Sequence, residues 1–365
     1  MAGFEELFYK SKILIENARN TMGVMVNTVT VFTCYCLGKY IIEEEQHGEE
    51  RAEYGAKVLD SLSEFLTKEY GRGYSRSNLA GMRKFYLTYR NRDSEIVQSG
   101  IGQLGLMQKN GIVQSPIGQL AIDRHDFPFK LSWTHYQILM AIDDEAERSF
   151  YELEAIKGVW NVKTLKRQYH SSLFERLALS RDKNDVMEMA TKGAVPYRPE
   201  DILKTPFVLE FVGLDDKSSY HENDLEFGVL NRLQDFLLEM GKGFLFEKRQ
   251  RRFTFNDKNF YLDLVLYNRF LHCYVLIDFK VDELTHQDLG QMQMYVNYYN
   301  RYEVIDGENP TIGILMCKKS DEALVELTLP ENSNIYAKEY KPYLPDKKVL
   351  KQKLQEWIEE VETKE

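Results

Sequence analysis

Three charged residues stand inside two apolar runs that otherwise have the composition of buried β-strands. The runs are FYLDLVLYN at 260–268 and YVLIDFKV at 274–281, and a helix-like HQDLGQMQMYV at 286–296 follows them. Both runs are rich in Val, Leu, Ile, Phe and Tyr, which favour a pleated, half-buried surface. Strand side chains alternate between faces, so Asp278 and Lys280 share one face and Phe279 takes the other. A hairpin between the runs brings Asp263 beside them. Burying two carboxylates and an ammonium costs several kcal/mol per ion unless they are paired or hold a metal. Alone, an Asp-x-Lys strand reads as a structural ion pair.

The neighbouring segments change that reading. Upstream, YHENDLEFGVLNRLQDFLLEMGKG at 220–243 forms an amphipathic helical pattern, with Leu230, Leu233, Phe236, Leu237 and Met240 on one stripe. Glu226 lies one turn before Leu230 on the same side. Downstream, Gln291 and Tyr295 are i,i+4 neighbours on one helix face. Taken in order, Glu226, Asp263, Asp278-Phe279-Lys280 and Gln291-x-x-x-Tyr295 resemble the PD-(D/E)XK nuclease superfamily, and within it the YhcG family. The resemblance extends into the N-terminal half through YSRSNLAGMRKFY and LSWTHYQILMAIDDEAERSFYELEAIKGVWNVKTLKRQ, leaving out 93–130. Leu262 stands where the superfamily name implies proline.

A chain of 365 residues suits two domains. Its net charge of −10 excludes an indiscriminate nucleic-acid coat, so any such binding must use local patches. The first 200 residues carry 26 basic and 27 acidic side chains and the rest carry 21 and 30, which places the acidity in the half with the carboxylate motifs. Cys34, Cys36, Cys273 and Cys317 form no C-x-x-C pair, which fits a reducing compartment. The longest apolar run, Val24 to Leu37, is too short to span a bilayer, and Glu5, Glu6 and Lys10 do not fit a secretory signal. The expectation is a cytoplasmic protein with no membrane partner.

Along the chain, residues 4–46 read as two helices. The helix in AEYGAKVLDSLSEFLTKEYG is stopped by Gly71 and Gly73, and Ser75 caps the next one. Residues 72–92 hold six basic side chains and no acid, with Tyr74, Phe85, Tyr86 and Tyr89 interleaved. This helix, turn and helix resembles a helix-turn-helix reader, which would place Arg76, Ser77 and Asn78 against base edges and Arg83 and Lys84 nearby. A solvated basic face on a core helix is the competing reading. Residues 93–130 read as a loop in which VQSGIGQL (97–104) returns as VQSPIGQL (113–120), a local duplication. In the helix after Asn161, Lys163, Lys166, Arg167 and Arg176 are expected on the polar side. Pro196, Pro199 and Pro206 mark a linker.

The resulting expectation is a mainly α-helical domain at 1–190 with a helix-turn-helix-like segment, a linker at 191–206, and an α/β domain at 207–365. The α/β domain would have the restriction-endonuclease-like mixed sheet flanked by helices that the resemblance implies, a core shared with tRNA-splicing endonuclease domains. The same resemblance implies an endonuclease or related phosphodiesterase that uses Mg²⁺ or Mn²⁺, with DNA the favoured substrate over RNA. Asp263, Asp278 and the Phe279 carbonyl would be metal ligands, and Glu226 a ligand or a holder of metal-bound water. Lys280 would orient the attacking water or stabilise the phosphate, with Gln291 and Tyr295 positioning the phosphate or Lys280 itself. The basic run Lys248, Arg249, Arg251 and Arg252 would hold the nucleic-acid backbone, or simply guard a solvated hairpin edge. Two other classes stay open: a binding module that keeps the fold without catalysis, and an interaction protein whose N-terminal helices form a homodimer.

Overall fold

The computed structural model describes residues 26–45, 52–98, 127–180, 183–214, 220–255, 258–320, 322–330 and 333–362, with Lys12 and Gly23. The duplicated VQSxIGQL segment lies outside them, except that residues 97 and 98 end a short helix. The chain divides into two compact units, Met1–Arg148 and Ser149–Glu365. No described helix is long and apolar enough to cross a membrane, and all four cysteines are free.

In the first unit, α1 (26–45), α2 (Ala52–Tyr70), α3 (Arg76–Tyr89), α4 (Asp93–Gln98) and α5 (Trp133–Leu139) follow in order. Helix α4 falls in a stretch expected to be loop, where Asp93 and Glu95 favour a helix N-terminus. Gly71 closes the α2–α3 turn at φ 91°, and the Ser75 hydroxyl accepts from the Asn78 N–H at 3.4 Å. Gly38 lets α1 lie against α3, because a Cβ there would sit 2.1 Å from the Met82 carbonyl oxygen. Aromatic rings fill the core: Phe85 meets Phe129 at 4.9 Å and Tyr89 and Tyr136 at 5.2 Å between centroids. The aromatics interleaved with the basic residues of α3 are thus largely core, as the alternation with exposed Arg76 and Lys84 allows.

The second unit begins within α6 (Glu145–Lys157) and continues with α7 (Val162–His170), α8 (Leu173–Ala178), α9 (Lys183–Lys192), β1 (Phe207–Val208), α10 (Glu222–Asn231), α11 (Leu233–Met240), β2 (Phe244–Phe255), β3 (Lys258–Asn268), β4 (Cys273–Glu283), α12 (His286–Tyr302), β5 (Ile312–Lys319), α13 (Glu322–Thr328), β6 (Ile335–Lys341) and α14 (Lys347–Glu362). The six strands form one sheet in the order β1-β6-β5-β4-β3-β2. Pairing is parallel from β1 to β4 and antiparallel from β4 to β2, so the sheet is mixed as expected. On one face α10 and α11 pack Leu225, Val229, Phe236 and Met240 on Leu264, Ile277, Phe279 and Ile314. On the other, α12 packs Leu289, Met292, Tyr295 and Val296 on Leu262, Leu276 and Leu315.

The unit boundary falls well before the linker expected at 191–206, and a buried ion cluster explains why. Arg167 and Arg176, expected on a solvated helix face, turn inward. Arg176 is fully buried and donates through Nη1 to Glu239 Oε1 and through Nε to the Ser171 carbonyl at 2.7 Å. Arg167 reaches Glu239 at 3.2 Å and Glu210 at 2.7 Å. Glu239 also accepts the Val208 N–H at 3.0 Å. Charge-assisted bonds in a dry interior are strong, and here they tie α7 and α8 to α11 and β1. The helices after Ser149 accordingly belong to the sheet's unit.

Candidate active site

The geometry starts from a local fault in β3. Strict alternation would put Leu262, Leu264 and Leu266 on one face. Instead Leu262 lies in the core under α12, while Leu264 and Leu266 lie in the core under α10 and α11. The strand therefore turns over at Asp263. Its pairing with β4 ends there too: the ladder runs from Asn268↔Cys273 to Leu264↔Ile277, while β3 stays paired with β2 as far as Lys258. Where β3 and β4 part, Asp263 Oδ2 replaces the lost ladder bond by accepting the Phe279 N–H at 2.8 Å. Two side chains hold the fault. Tyr295 donates its hydroxyl to the Tyr261 carbonyl at 2.7 Å, and Gln291 Nε2 donates to that hydroxyl at 2.5 Å. Their observed contact is thus with the β3 backbone, where a phosphate or Lys280 was expected.

Asp278 and Lys280 share the face predicted by alternation, with Lys280 Nζ 3.0 Å from Asp278 Oδ2. Phe279 points the other way and packs edge-on against Phe236, with ring centroids 5.8 Å apart. Asp278 is only 4% exposed. Burial raises the Asp263 pKa to about 8, and the Asp278 charge adds to the rise; the Phe279 N–H and Lys280 oppose it, while Glu226 reinforces it. Burial likewise raises Asp278, against the pull of Lys280. For Lys280 burial works against the charge, but Asp278, Glu222 and Asp263 outweigh it and raise its pKa. These neighbours favour the ammonium form, a cation beside the two carboxylates.

Glu226 acts on Asp263 through its charge alone. Among the described residues no three His, Cys, Asp or Glu side chains are grouped to hold an ion. Glu222, one helical turn earlier, takes the place beside Lys280 at 3.3 Å. The donor chemistry still suits Mg²⁺, which takes one or two protein carboxylates, keeps several waters and draws further ligands from substrate phosphate. Two buried carboxylates repelling one another are such a hard-oxygen set.

Sequence reasoning missed two contacts. Gln250, opposite Asp263 across the β2–β3 pair, donates Nε2 to Asp263 Oδ1 at 3.2 Å and has φ 45°. That left-handed backbone is uncommon for a side chain other than Gly or Asn. It sits among charged neighbours whose basic character masked it. Glu222 stands four residues before Glu226 on the same helix face, and that spacing is its signal in the sequence.

The basic segments are largely spent on internal pairs. Lys248 lies 3.0 Å from Glu247, Arg251 is 2.9 Å from Glu303, and Arg252 donates to Asn259 at 2.8 Å. Arg249, exposed on the edge strand β2, makes no ion pair among the described residues. In the first unit Arg83 is 2.8 Å from Glu45, Arg76 is 2.7 Å from Asp60, and Asn78 Nδ2 donates to the Gly73 carbonyl at 3.0 Å. Ser77 and Lys84 remain exposed.

Residues 200–355 match the family model described as the YhcG PDDEXK nuclease domain, and residues 10–176 match the DUF1016 N-terminal domain. A curated relative from Escherichia coli (strain K12), "Putative nuclease YhcG", is 36% identical over 97% of this chain and 94% of its own length. The chain belongs to the YhcG family. The parting of β3 and β4 around two carboxylates therefore lies inside the YhcG nuclease domain, between α10 and α12 of that matched region. A solved repair endonuclease from Pyrococcus abyssi is 18% identical, with a TM-score of 0.24, covering 35% of this YhcG-family chain and 50% of its own.

Proposed function

We propose that this chain is a divalent-metal-dependent nuclease that hydrolyses phosphodiester bonds, with DNA as its preferred substrate. The observation that carries the reading is the convergence of Asp263 and Asp278 where β3 and β4 part, with the Lys280 ammonium 3.0 Å from Asp278. Asp263, Asp278 and the Phe279 carbonyl would hold Mg²⁺ or Mn²⁺, and Glu226 would hold water beside it. The ion would supply charge neutralisation at the phosphate and a more acidic bound water. Lys280, kept charged by its neighbours, stabilises the negative charge that builds on the phosphoryl oxygens. Asp278 orients that ammonium. Tyr295 and Gln291 fix the Tyr261 carbonyl, so that Asp263 enters from a rigid backbone. Gln250 sets the rotation of the Asp263 carboxylate.

Arg249 would contact the phosphate backbone beside the site, and the exposed cations of α3, Lys84 above all, would hold nucleic acid in the N-terminal unit. The test is a panel of duplex, single-stranded and branched DNA and RNA, with Mg²⁺, Mn²⁺ or EDTA. Metal-dependent cutting, fastest on a DNA member, is expected. Binding without cutting under every metal would mark a recognition module that keeps the fold.

A further inference from the structure

The ion cluster around Glu239 opens onto a cavity that the nuclease site does not use. Its volume is about 670 Å³, the size of a small-molecule pocket. Leu173, Leu177, Ile202, Leu237 and Phe244 supply apolar walls, and Trp160, Arg167 and Lys204 also line it. Lys204 has a side chain only 3% exposed, and its nearest carboxylate is Glu239 Oε1 at 3.8 Å, too far for a hydrogen bond. It makes no hydrogen bond among the described residues.

The charges around it do not balance. Arg167, Arg176 and Lys204 face two carboxylates, Glu239 and Glu210, and Arg176 already holds Glu239 Oε1. The other acids on the wall are engaged. Glu154 pairs with Lys242 at 2.5 Å, Asp235 with Arg232 at 2.6 Å, and Asp201 accepts the N–H groups of Tyr197 and Arg198 at 2.8 and 2.9 Å. Lys204 is left buried beside open space, with no carboxylate within hydrogen-bond distance. Burial and the repulsion of Arg176 and Arg167 outweigh the attraction of Glu239 and Glu154 and lower the Lys204 pKa to about 7. An uncompensated buried ion is costly, and an anion entering the cavity would remove that cost.

We propose that this cavity binds a small anionic molecule, an oxyanion head on an apolar body, with Lys204 donating to the oxyanion. A carboxylate and a phosphate ester share that chemistry, and the experiment separates them. Calorimetry on the full-length chain uses inorganic phosphate, adenosine monophosphate and benzoate as probes. One-to-one saturable binding of at least one probe is expected. Lys204→Met should weaken it about tenfold or more, as for a lost charge-assisted hydrogen bond. Lys280→Met should leave it unchanged, which separates this cavity from the nuclease site. A thermal melt of Lys204→Met should match or exceed wild type, since the variant sheds an unpaired charge. Tighter binding of the phosphates identifies a phosphate ester, and tighter binding of benzoate a carboxylate. Absence of saturable binding by all three probes, or binding indifferent to Lys204→Met, overturns the proposal.

Discussion

Around Glu239 one carboxylate is approached by three cations, whereas at the parting of β3 and β4 two carboxylates share one lysine. Both clusters are buried in the same unit, and their carboxylates shift in opposite directions. Burial works to raise the Glu239 pKa, but Arg176, Lys204 and Arg167 overcome it and hold the group at about 2. At Asp263 burial and Asp278 act together and lift the pKa to about 8. Burial of charge alone therefore does not mark a reactive centre. An acid whose neighbours satisfy it is structural, while an acid pair left with excess negative charge is a place for a cation and for chemistry.

The largest effect should come from the satisfied cluster. Glu239→Ala strands Arg176, whose side chain is fully buried, and should destabilise the fold by about 3–5 kcal/mol. Urea unfolding measures it, and a loss under 1 kcal/mol would mean the cluster does not tie the helices to the sheet. Lys280→Met tests the other side. Turnover at saturating Mg²⁺ should fall on the order of 100-fold, about 2.7 kcal/mol, with substrate affinity retained. A near-wild-type rate in single-turnover cleavage would reduce Lys280 to a counter-ion. Arginine should rescue only in part, because its planar fork is larger and differently hydrated.

Much of this contrast was legible before the fold. Asp263, Asp278, Lys280 and the Gln291–Tyr295 pair stood out because charge inside an apolar strand is rare and the elements follow in a recognisable order. Alternation alone placed Asp278 and Lys280 on one face. The Glu239 cluster was not legible. Arg167 and Arg176 satisfy a polar-face pattern, and a charge pattern along one helix cannot show that a carboxylate 63 residues later will neutralise it. The same blindness hid that the helices after Ser149 pack into the sheet's unit. The reversal of β3 at Asp263 was equally hidden, since it depends on Tyr295 holding the Tyr261 carbonyl from another element.

The two clusters should also respond oppositely to pH in metal-free buffer. The Glu239 pKa is depressed from an ordinary 4.5, so its stabilisation is complete above that value and lost as pH falls toward 2. The Asp263 pKa is raised from 3.8, so the folded state keeps a proton that the unfolded chain releases. Its contribution is greatest at low pH and shrinks as pH rises toward about 8. Urea melts with EDTA between pH 4 and 8 should show that decline, and Asp263→Asn should flatten it. An unchanged slope in the variant would assign the decline elsewhere.

The smallest effects belong to the surface cations. Arg83 and Arg76 are already paired with Glu45 and Asp60, whereas Lys84 makes no ion pair among the described residues. Lys84→Ala should lower the log–log salt slope of duplex binding by roughly 0.9, the value for one phosphate contact. Arg83→Ala should lower it by less. Equal slopes for wild type and Lys84→Ala would make α3 a solvated basic face.

The most direct test of the two-carboxylate centre combines cleavage with stability in Asp278→Ala. Removing one of two repelling buried acids should leave the metal-free fold at least as stable as wild type. Single-turnover cutting of labelled DNA with Mg²⁺ or Mn²⁺ should nevertheless be abolished while nucleic-acid binding persists. A well-folded Asp278→Ala protein that cuts at an undiminished rate would contradict the assignment.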